Sequence, residues 1–133
     1  MSLEERPPAI DAELVKNFVI AGHRDLETVK TMLKAEPGLL HASWDWGGGD
    51  FESALEGAAH VGQREIALYL IEKGARVTIC TAAMLGELET VKQMITAFPA
   101  LKNATGGHGI PLIVHAKAGG EQAADVVAYL ESL

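Results

Sequence analysis

The segments "DLETVKTMLKAEPGLLHA" (residues 25–42) and "ELETVKQMITAFPALKNA" (residues 87–104) decide the fold, because they are two copies of one pattern. Ten of their eighteen positions are identical at a constant offset of 62 residues. In the first copy Leu26, Val29 and Leu33 repeat at the spacing of one helix face, and the second copy has apolar residues at the same positions. The pair predicts two equivalent amphipathic helices in a chain built from repeats.

A short, alanine-rich segment comes before each amphipathic helix, and this arrangement occurs four times. Pro37 and Pro99 follow two of the long helices, where a proline cannot continue the hydrogen-bond ladder. Gly74 is predicted to cap the C-terminus of a third, and Asp11 the N-terminus of an opening helix. The short segments are "FVIAG" (18–22), "ALEGAAHVG" (54–62), "CTAAMLG" (80–86) and "LIVHAKAGG" (112–120).

The segment "ESALEGAAHVGQREIALYLIEKGA" (52–75) resembles the ankyrin repeat, whose signature begins T-P-L-H-x-A-A. Residues 53–55 occupy the T-P-L positions, Ala58 and Ala59 the alanine pair, and Gly62 the turn. The resemblance implies a single all-α domain over residues 1–133, an ankyrin-repeat solenoid of about four helix-turn-helix repeats. The approximate repeats are 10–42, 43–75, 76–104 and 105–133.

The spacing of the turn glycines departs from the ankyrin period of about 33 residues. Gly86 follows Gly62 by only 24 residues, which predicts that the hairpin finger between these repeats is shortened. Gly119 follows Gly86 by 33 residues, so the next finger is expected to be intact. The loop before Gly62 is longer than usual, and it contains both tryptophans.

The resemblance implies a non-enzymatic module that binds a protein partner through its fingers and the exposed side of its short helices. Met84 and Leu85 are expected to lie on open surface, because the finger beside them is shortened. The segment "VVAYLESL" (126–133) has no following repeat to cover it, which indicates a homodimer through the end repeats. The candidate partner-binding residues are Trp44, Asp45, Trp46, Asp50, His60, Met84, Leu85, His108 and Lys117.

The stretch "WDWGGGDF" (44–51) is unlike a phosphate-binding loop, since Asp50 follows its glycines in place of the required Lys-Ser/Thr. No buried strand precedes the glycines, which argues against dinucleotide binding. The glycines are expected to form the tip of a finger. Trp44 and Trp46 fit two interpretations equally well: partner contact, or packing over the neighbouring helices.

No metal site, cofactor or catalytic residue is predicted from the sequence. The five histidines show no metal-ligand spacing; His41 and His108 fall in loops, and His115 falls at an interior position. Glu52 is expected to be a surface charge. Asp45 or Asp50 is expected to cap local backbone N–H groups, and Cys80 to be a small buried apolar residue. The histidines are His23, His41, His60, His108 and His115.

An alternative function belongs to another class. A small-molecule- or metal-dependent enzyme, or a ligand-binding protein, would use the loop at residues 44–52 together with His108. Convergent polar groups in a compact pocket would favour this alternative, whereas a shallow continuous face would favour the binding module.

Composition limits the partners and the compartment. The net charge of −7 argues against binding to nucleic acid or to an anionic membrane. The acidic, proline-containing start does not resemble a signal peptide, and no apolar run reaches membrane-spanning length. A single cysteine fits a reducing compartment. A cytoplasmic protein is therefore expected.

Overall fold

The computed structural model describes residues 2–133 and is mostly helical, with one two-stranded antiparallel hairpin. The all-α prediction is confirmed at this level. The α-helices are α1 (Ala12–Gly22), α2 (Leu26–Ala35), α3 (Ala54–His60), α4 (Arg64–Glu72), α5 (Ile79–Leu85), α6 (Leu88–Ala97), α7 (Leu112–Ala118) and α8 (Ala124–Glu131), and the strands are β1 (Ser43–Asp45) and β2 (Phe51–Ser53).

The helices pack as four consecutive pairs, and the shorter members α3, α5 and α7 continue in a row from α1. Alanines on these helices are buried, and their small side chains let the backbones approach closely. At Gly22 the approach is so close that an added Cβ would lie 2.6 Å from the carbonyl oxygen of Ala54. The longer helices cover one side of the row with apolar residues such as Val29, Leu70 and Val91, which are fully buried.

Short polar side chains begin several helices, and Asp11 does so as the sequence predicts. The Asp11 carboxylate accepts the backbone N–H of Leu14 at the start of α1. Ser53 and Glu56 form a reciprocal capping box at the start of α3. Gly74 adopts φ +103°, the left-handed conformation expected just beyond the end of a helix.

Two loops project from the same side of the row. The first finger (residues 43–53) is the β1–β2 hairpin with Gly47, Gly48 and Gly49 at its tip. The second finger (residues 105–111) is closed by a bridge between Thr105 and Pro111. Residues 73–78 connect α4 to α5 without any strand, so the two fingers meet each other across the gap.

Met84 and Leu85 do not lie on open surface, contrary to the expectation from the shortened finger. Their exposed fractions are 1% and 7%. The reason is that α5 lies between α3 and α7, and the 3-10 turn Gly120–Ala123 also packs against it. The short connection at residues 73–78 therefore leaves neither Met84 nor Leu85 exposed.

None of the helices formed by residues 2–133 combines the length and apolar character required to cross a membrane.

Candidate metal centre

Glu52 is the centre of the most distinctive cluster in the molecule. It lies in β2 and its side chain is completely buried, so the expectation of a surface charge was wrong. Strand alternation explains the burial: Phe51 and Ser53 point away, while Glu52 points under the hairpin toward the helix row. A buried carboxylate needs strong partners to compensate for its lost hydration.

Three histidines surround this carboxylate, and with it they form the histidine–glutamate cluster (His23, Glu52, His60 and His108). The Nε2 atom of His23 lies 3.2 Å from Oε1 of Glu52, and that of His60 lies 3.2 Å from Oε2. The Nε2 atom of His108 lies 3.6 Å from Oε1. One potential ligand atom from each residue falls within 4.8 Å of all the others. Histidines far apart in the sequence therefore form a group that their spacing did not indicate.

The cluster collects its members from helix ends and from both fingers. His23 follows the last residue of α1, and His60 is the last residue of α3. Because α1 and α3 are neighbours in the row, the two rings pack edge to face with centroids 4.9 Å apart. His108 reaches the same point from the second finger, 5.7 Å from the His60 ring.

Hydrogen bonds on the far side of two rings fix their orientation. Nδ1 of His23 lies 2.8 Å from the carbonyl oxygen of Val19, which only accepts, so Nδ1 carries a proton. Nδ1 of His108 donates in the same way to Asp50 at 2.7 Å. In a neutral ring the proton on Nδ1 leaves a lone pair on Nε2, aimed at the cluster. This is the arrangement of metal-bound histidines, whose second nitrogen donates to a carbonyl or carboxylate.

The backbone around His108 is strained in a way that serves the cluster. Among the described residues, His108 is the one residue other than glycine that has a left-handed backbone, with φ +61°. Its backbone N–H donates to Asp50 at 2.7 Å, so Asp50 holds both the backbone and the ring. Strained backbone of this kind persists only where surrounding bonds hold it, and it is common at functional sites.

Two glycines provide the room for the converging groups. An added Cβ at Gly57 would lie 2.5 Å from the His23 ring, and one at Gly107 would lie 2.7 Å from Oε2 of Glu52. Neither contact is compatible with the observed positions. Any residue other than glycine would therefore displace a member of the cluster.

The electrostatics favour an ionised carboxylate. Burial alone raises the pKa of Glu52. The hydrogen bond and charge of His23, together with the hydrogen bond from the Trp46 N–H at 3.0 Å, outweigh burial, so the pKa of Glu52 is lowered. The hydrogen bond with Glu52 raises the pKa of His23 despite the cost of burial. Burial lowers the pKa of His60, which favours its neutral, lone-pair-bearing form.

One feature of the cluster is not satisfied by protein groups alone. Oε2 of Glu52 and Nε2 of His60 are buried and face each other at 3.2 Å, yet among the described residues neither has a hydrogen-bond partner. A tetrahedral zinc ion with bonds of about 2.0–2.1 Å separates its ligand atoms by about 3.3 Å. Each nitrogen–oxygen distance, 3.2–3.6 Å, is close to this separation, but His23 and His108 approach Oε1 whereas His60 approaches Oε2. Binding of all four residues to one ion therefore needs a shift of the side chains, whose ligand atoms lie within 4.8 Å of one another.

The residues expected to bind a partner divide into three groups. Trp46, Asp50, His60 and His108 belong to the cluster or contact it. Trp44 and Asp45 lie elsewhere on the first finger, and Lys117 is exposed on α7. Met84 and Leu85 are buried in the core, as described above.

The first-finger side chains have distinct roles. Trp44 is half-buried against α1, with the Lys16 ammonium 5.9 Å from its ring, whereas Trp46 is 36% exposed. Asp45 caps the glycine tip by accepting the N–H groups of Gly47 and Gly49, as predicted. Asp50 instead reaches across to the second finger, which the sequence did not indicate.

His23 and Glu52 are the site residues that sequence reasoning missed. A signal for His23 existed in the repeat register, because His23 and His60 end the short helices of adjacent units. Stacked repeats bring such positions side by side. No comparable signal marked Glu52, since its burial depends on how the hairpin folds back onto α1 and α3.

His115 and Cys80 are buried, as expected from their positions in the short helices. Burial raises the pKa of the Cys80 thiol to about 11, which leaves it a poor nucleophile. Neither residue belongs to the cluster.

Comparison of the chain with protein-family models, curated proteins and solved structures gave no match.

Proposed function

We propose that this protein binds a divalent transition-metal ion through His23, Glu52, His60 and His108. The observation that carries the proposal is the convergence of three imidazole nitrogens on one fully buried carboxylate, all within 4.8 Å. This is the alternative function class of the sequence analysis, now with defined ligands.

A purely ionic network explains the cluster less well than a metal does. A single carboxylate faces three Nε2 atoms and also accepts the Trp46 N–H. A neutral His60 protonated on Nε2 would satisfy Oε2, whereas His23 and His108 already donate from Nδ1 and must both be positively charged to donate to Oε1 as well. Two positive rings at one carboxylate oxygen repel each other. One cation bound by neutral rings satisfies the same atoms without that repulsion.

The ligand set selects the type of metal. Imidazole nitrogen suits Zn²⁺, Cu²⁺, Ni²⁺ and Fe²⁺, whereas Mg²⁺ and Ca²⁺ prefer sites made entirely of oxygen. Three nitrogens and one carboxylate therefore favour a zinc-class ion. His23 and His108 have the outer hydrogen bonds that such ligands need.

Zinc titration of chelator-treated protein tests the proposal. We expect one Zn²⁺ per chain by calorimetry. Glu52→Gln and His60→Asn are expected to weaken binding at least about a hundredfold, since losing only an outer partner already costs about 10–100-fold. The matched controls Glu56→Gln and His41→Asn replace the same residue types outside the cluster. Zinc affinity unchanged in Glu52→Gln or His60→Asn would contradict the assignment.

We also propose, as a second function, that the chain is an ankyrin-type module that recognises a protein partner. The supporting observations are the internal repeat, the row of helix pairs and the two fingers that project from one side. Trp44, Asp45 and Lys117 lie outside the metal ligands and remain candidates for that contact. Homodimerisation and a cytoplasmic location likewise stay predictions.

Affinity capture separates the second function from the first. Trp44→Ala and Lys117→Glu are expected to reduce capture of the partner without changing zinc affinity. Lys102→Glu serves as the control, because Lys102 is exposed in the turn that follows α6. If all three variants captured the partner equally well, Trp44 and Lys117 would not belong to the binding surface.

A further inference from the structure

We propose that the bound metal keeps one coordination position open and takes there a small carboxylate ligand, which also pairs with Arg24. This inference rests on the proposed metal site. It adds the class of ligand and the residue that recognises it.

A cavity of about 350 Å³ lies directly against the cluster. This volume is near the lower end of the range of small-molecule sites, about 300–1,000 Å³. It is lined by Ile20, His23, Arg24, Trp46, His60 and His108.

Glu52 is absent from this lining, although the three histidines that surround it are all present. The cavity therefore reaches the histidine rings, whereas the carboxylate of Glu52 is buried away from it. A metal bound by the Nε2 atoms of these rings would lie next to the cavity, and a further ligand would approach the metal from there. Zinc sites can expand from four to five ligands, so a site with these four protein ligands still takes one further ligand where a cavity gives access to the metal.

The lining is apolar apart from the ligands and one cation. Ile20 and Trp46 supply hydrophobic surface, and the Trp46 N–H is already engaged by Glu52. Arg24 is exposed and lines the same cavity. A planar guanidinium pairs with a carboxylate through two parallel hydrogen bonds.

The charge of the site selects a singly charged anion. Two carboxylates balance the charge of a divalent cation. Glu52 lies within the cluster, and Asp50 is bonded to the ring of His108. Arg24 then adds one positive charge. The neighbouring Asp25 interacts with the charge of Arg24, but among the described residues its carboxylate is bonded to the N–H and hydroxyl of Thr28 as the cap of α2 and forms no ion pair with Arg24. One surplus positive charge matches a carboxylate better than a doubly charged phosphate.

Cobalt-substituted protein provides the test, because the visible absorption of Co²⁺ changes with its coordination number. We expect sodium benzoate to alter the spectrum of the bound Co²⁺. Acetate should bind more weakly because it does not reach the apolar wall, and inorganic phosphate more weakly still.

Arg24→Gln is expected to weaken benzoate binding about tenfold, as loss of one charge-assisted pair predicts, and to leave Co²⁺ affinity unchanged. Arg24→Lys should retain part of the affinity, since it keeps the charge but loses the planar geometry. The control is Arg76→Gln, an exposed arginine in the α4–α5 connection.

The outcomes separate the inference from the metal site itself. A bound Co²⁺ whose spectrum ignores benzoate would show a closed site and overturn only this inference. Equal benzoate affinity in wild type and Arg24→Gln would overturn the role of Arg24. Failure to bind Co²⁺ or Zn²⁺ would overturn both proposals together.

Discussion

Asp50 shows how a residue outside the metal ligands can control the cluster. Its carboxylate accepts both the backbone N–H and the ring Nδ1 of His108, and the backbone N–H bond, followed by the ring bond and charge, lowers the pKa of Asp50. Hydrogen bonds among residues 106–110 close the second finger around His108, and the bonds to Asp50 add the direct hold on its left-handed backbone and its ring. The orientation of one predicted ligand thus depends on a side chain in the other finger.

We therefore expect Asp50→Asn to lower zinc affinity about 10–100-fold, the usual cost of losing an outer partner of a ligating histidine. Asp45→Asn is the matched control, because Asp45 belongs to the same finger but bonds only to the glycine tip. Competition against a zinc chelator measures both variants. Identical affinities for the two variants would remove Asp50 from the site.

His115 offers a test at the residue scale that is independent of the metal. It is fully buried, its Nδ1 donates to the carbonyl of Pro111, and its Nε2 has no partner among the described residues. Burial lowers the pKa of His115, so the unfolded chain takes up this proton at a higher pH than the folded chain. Its contribution to stability is present above about pH 6.5 and is lost as the pH falls through the lower folded-state pKa.

Chelator-treated wild type should accordingly lose more unfolding free energy between about pH 7 and pH 5 than His115→Asn does. Asparagine retains a donor for Pro111 but does not titrate. Urea denaturation across this range measures the difference between the two slopes. Parallel pH profiles would mean that His115 has the same pKa in the folded and the unfolded chain.

At the scale of elements, the junction between β2 and α3 places the buried carboxylate. Glu52 is the residue before Ser53, which ends the hairpin and caps α3. The Ser53 hydroxyl accepts the N–H of Glu56, and the Glu56 carboxylate accepts the N–H of Ser53. This capping box fixes where the strand stops and the helix starts.

Ser53→Ala is expected to destabilise the fold by about 1 kcal/mol, the usual effect of losing an N-cap hydroxyl. Ser43→Ala is the matched control, since Ser43 pairs with Ser53 across the hairpin and caps no helix. Urea unfolding compares the two. If Ser43→Ala lowered the free energy of unfolding by as much as Ser53→Ala does, the loss would come from the hairpin and not from the helix cap.

At the scale of the whole molecule, the short connection between α4 and α5 lets two distant loops meet. The connection at residues 73–78 leaves a gap, and the first and second fingers close over it through Asp50 and His108. The helix row holds His23 and His60 below them. A metal ion at the cluster would join both fingers to the row.

Zinc should therefore slow amide hydrogen exchange in both fingers. The N–H groups of Trp46 and Gly106, bonded to Asp50 and Ile110, report on the first and second finger respectively. With free Zn²⁺ at about 100 times its Kd, exchange through opening of the site should slow about a hundredfold. The Phe98 amide, bonded to Met94 at the end of α6, lies outside both fingers and should not change. Slower exchange confined to one finger would contradict a shared site.

The sequence by itself determined the repeated helix pairs and several of the helix ends. Apolar spacing located α2 and α6, prolines and glycines marked helix ends, and small residues marked the row of short helices. Each of these features depends on neighbours within a few turns of the chain, so local rules suffice. The same rules placed Asp45 at a turn and His115 in the interior.

Only the tertiary structure decided the cluster. His23, Glu52 and His108 lie on three segments far apart along the chain, and no local spacing rule joins them. Their meeting depends on how neighbouring units stack, on the shortened connection before α5, and on the direction in which one hairpin folds. The burial of Glu52, Met84 and Leu85 follows from the same packing, because exposure is set by what lies across the interface and not by adjacent residues.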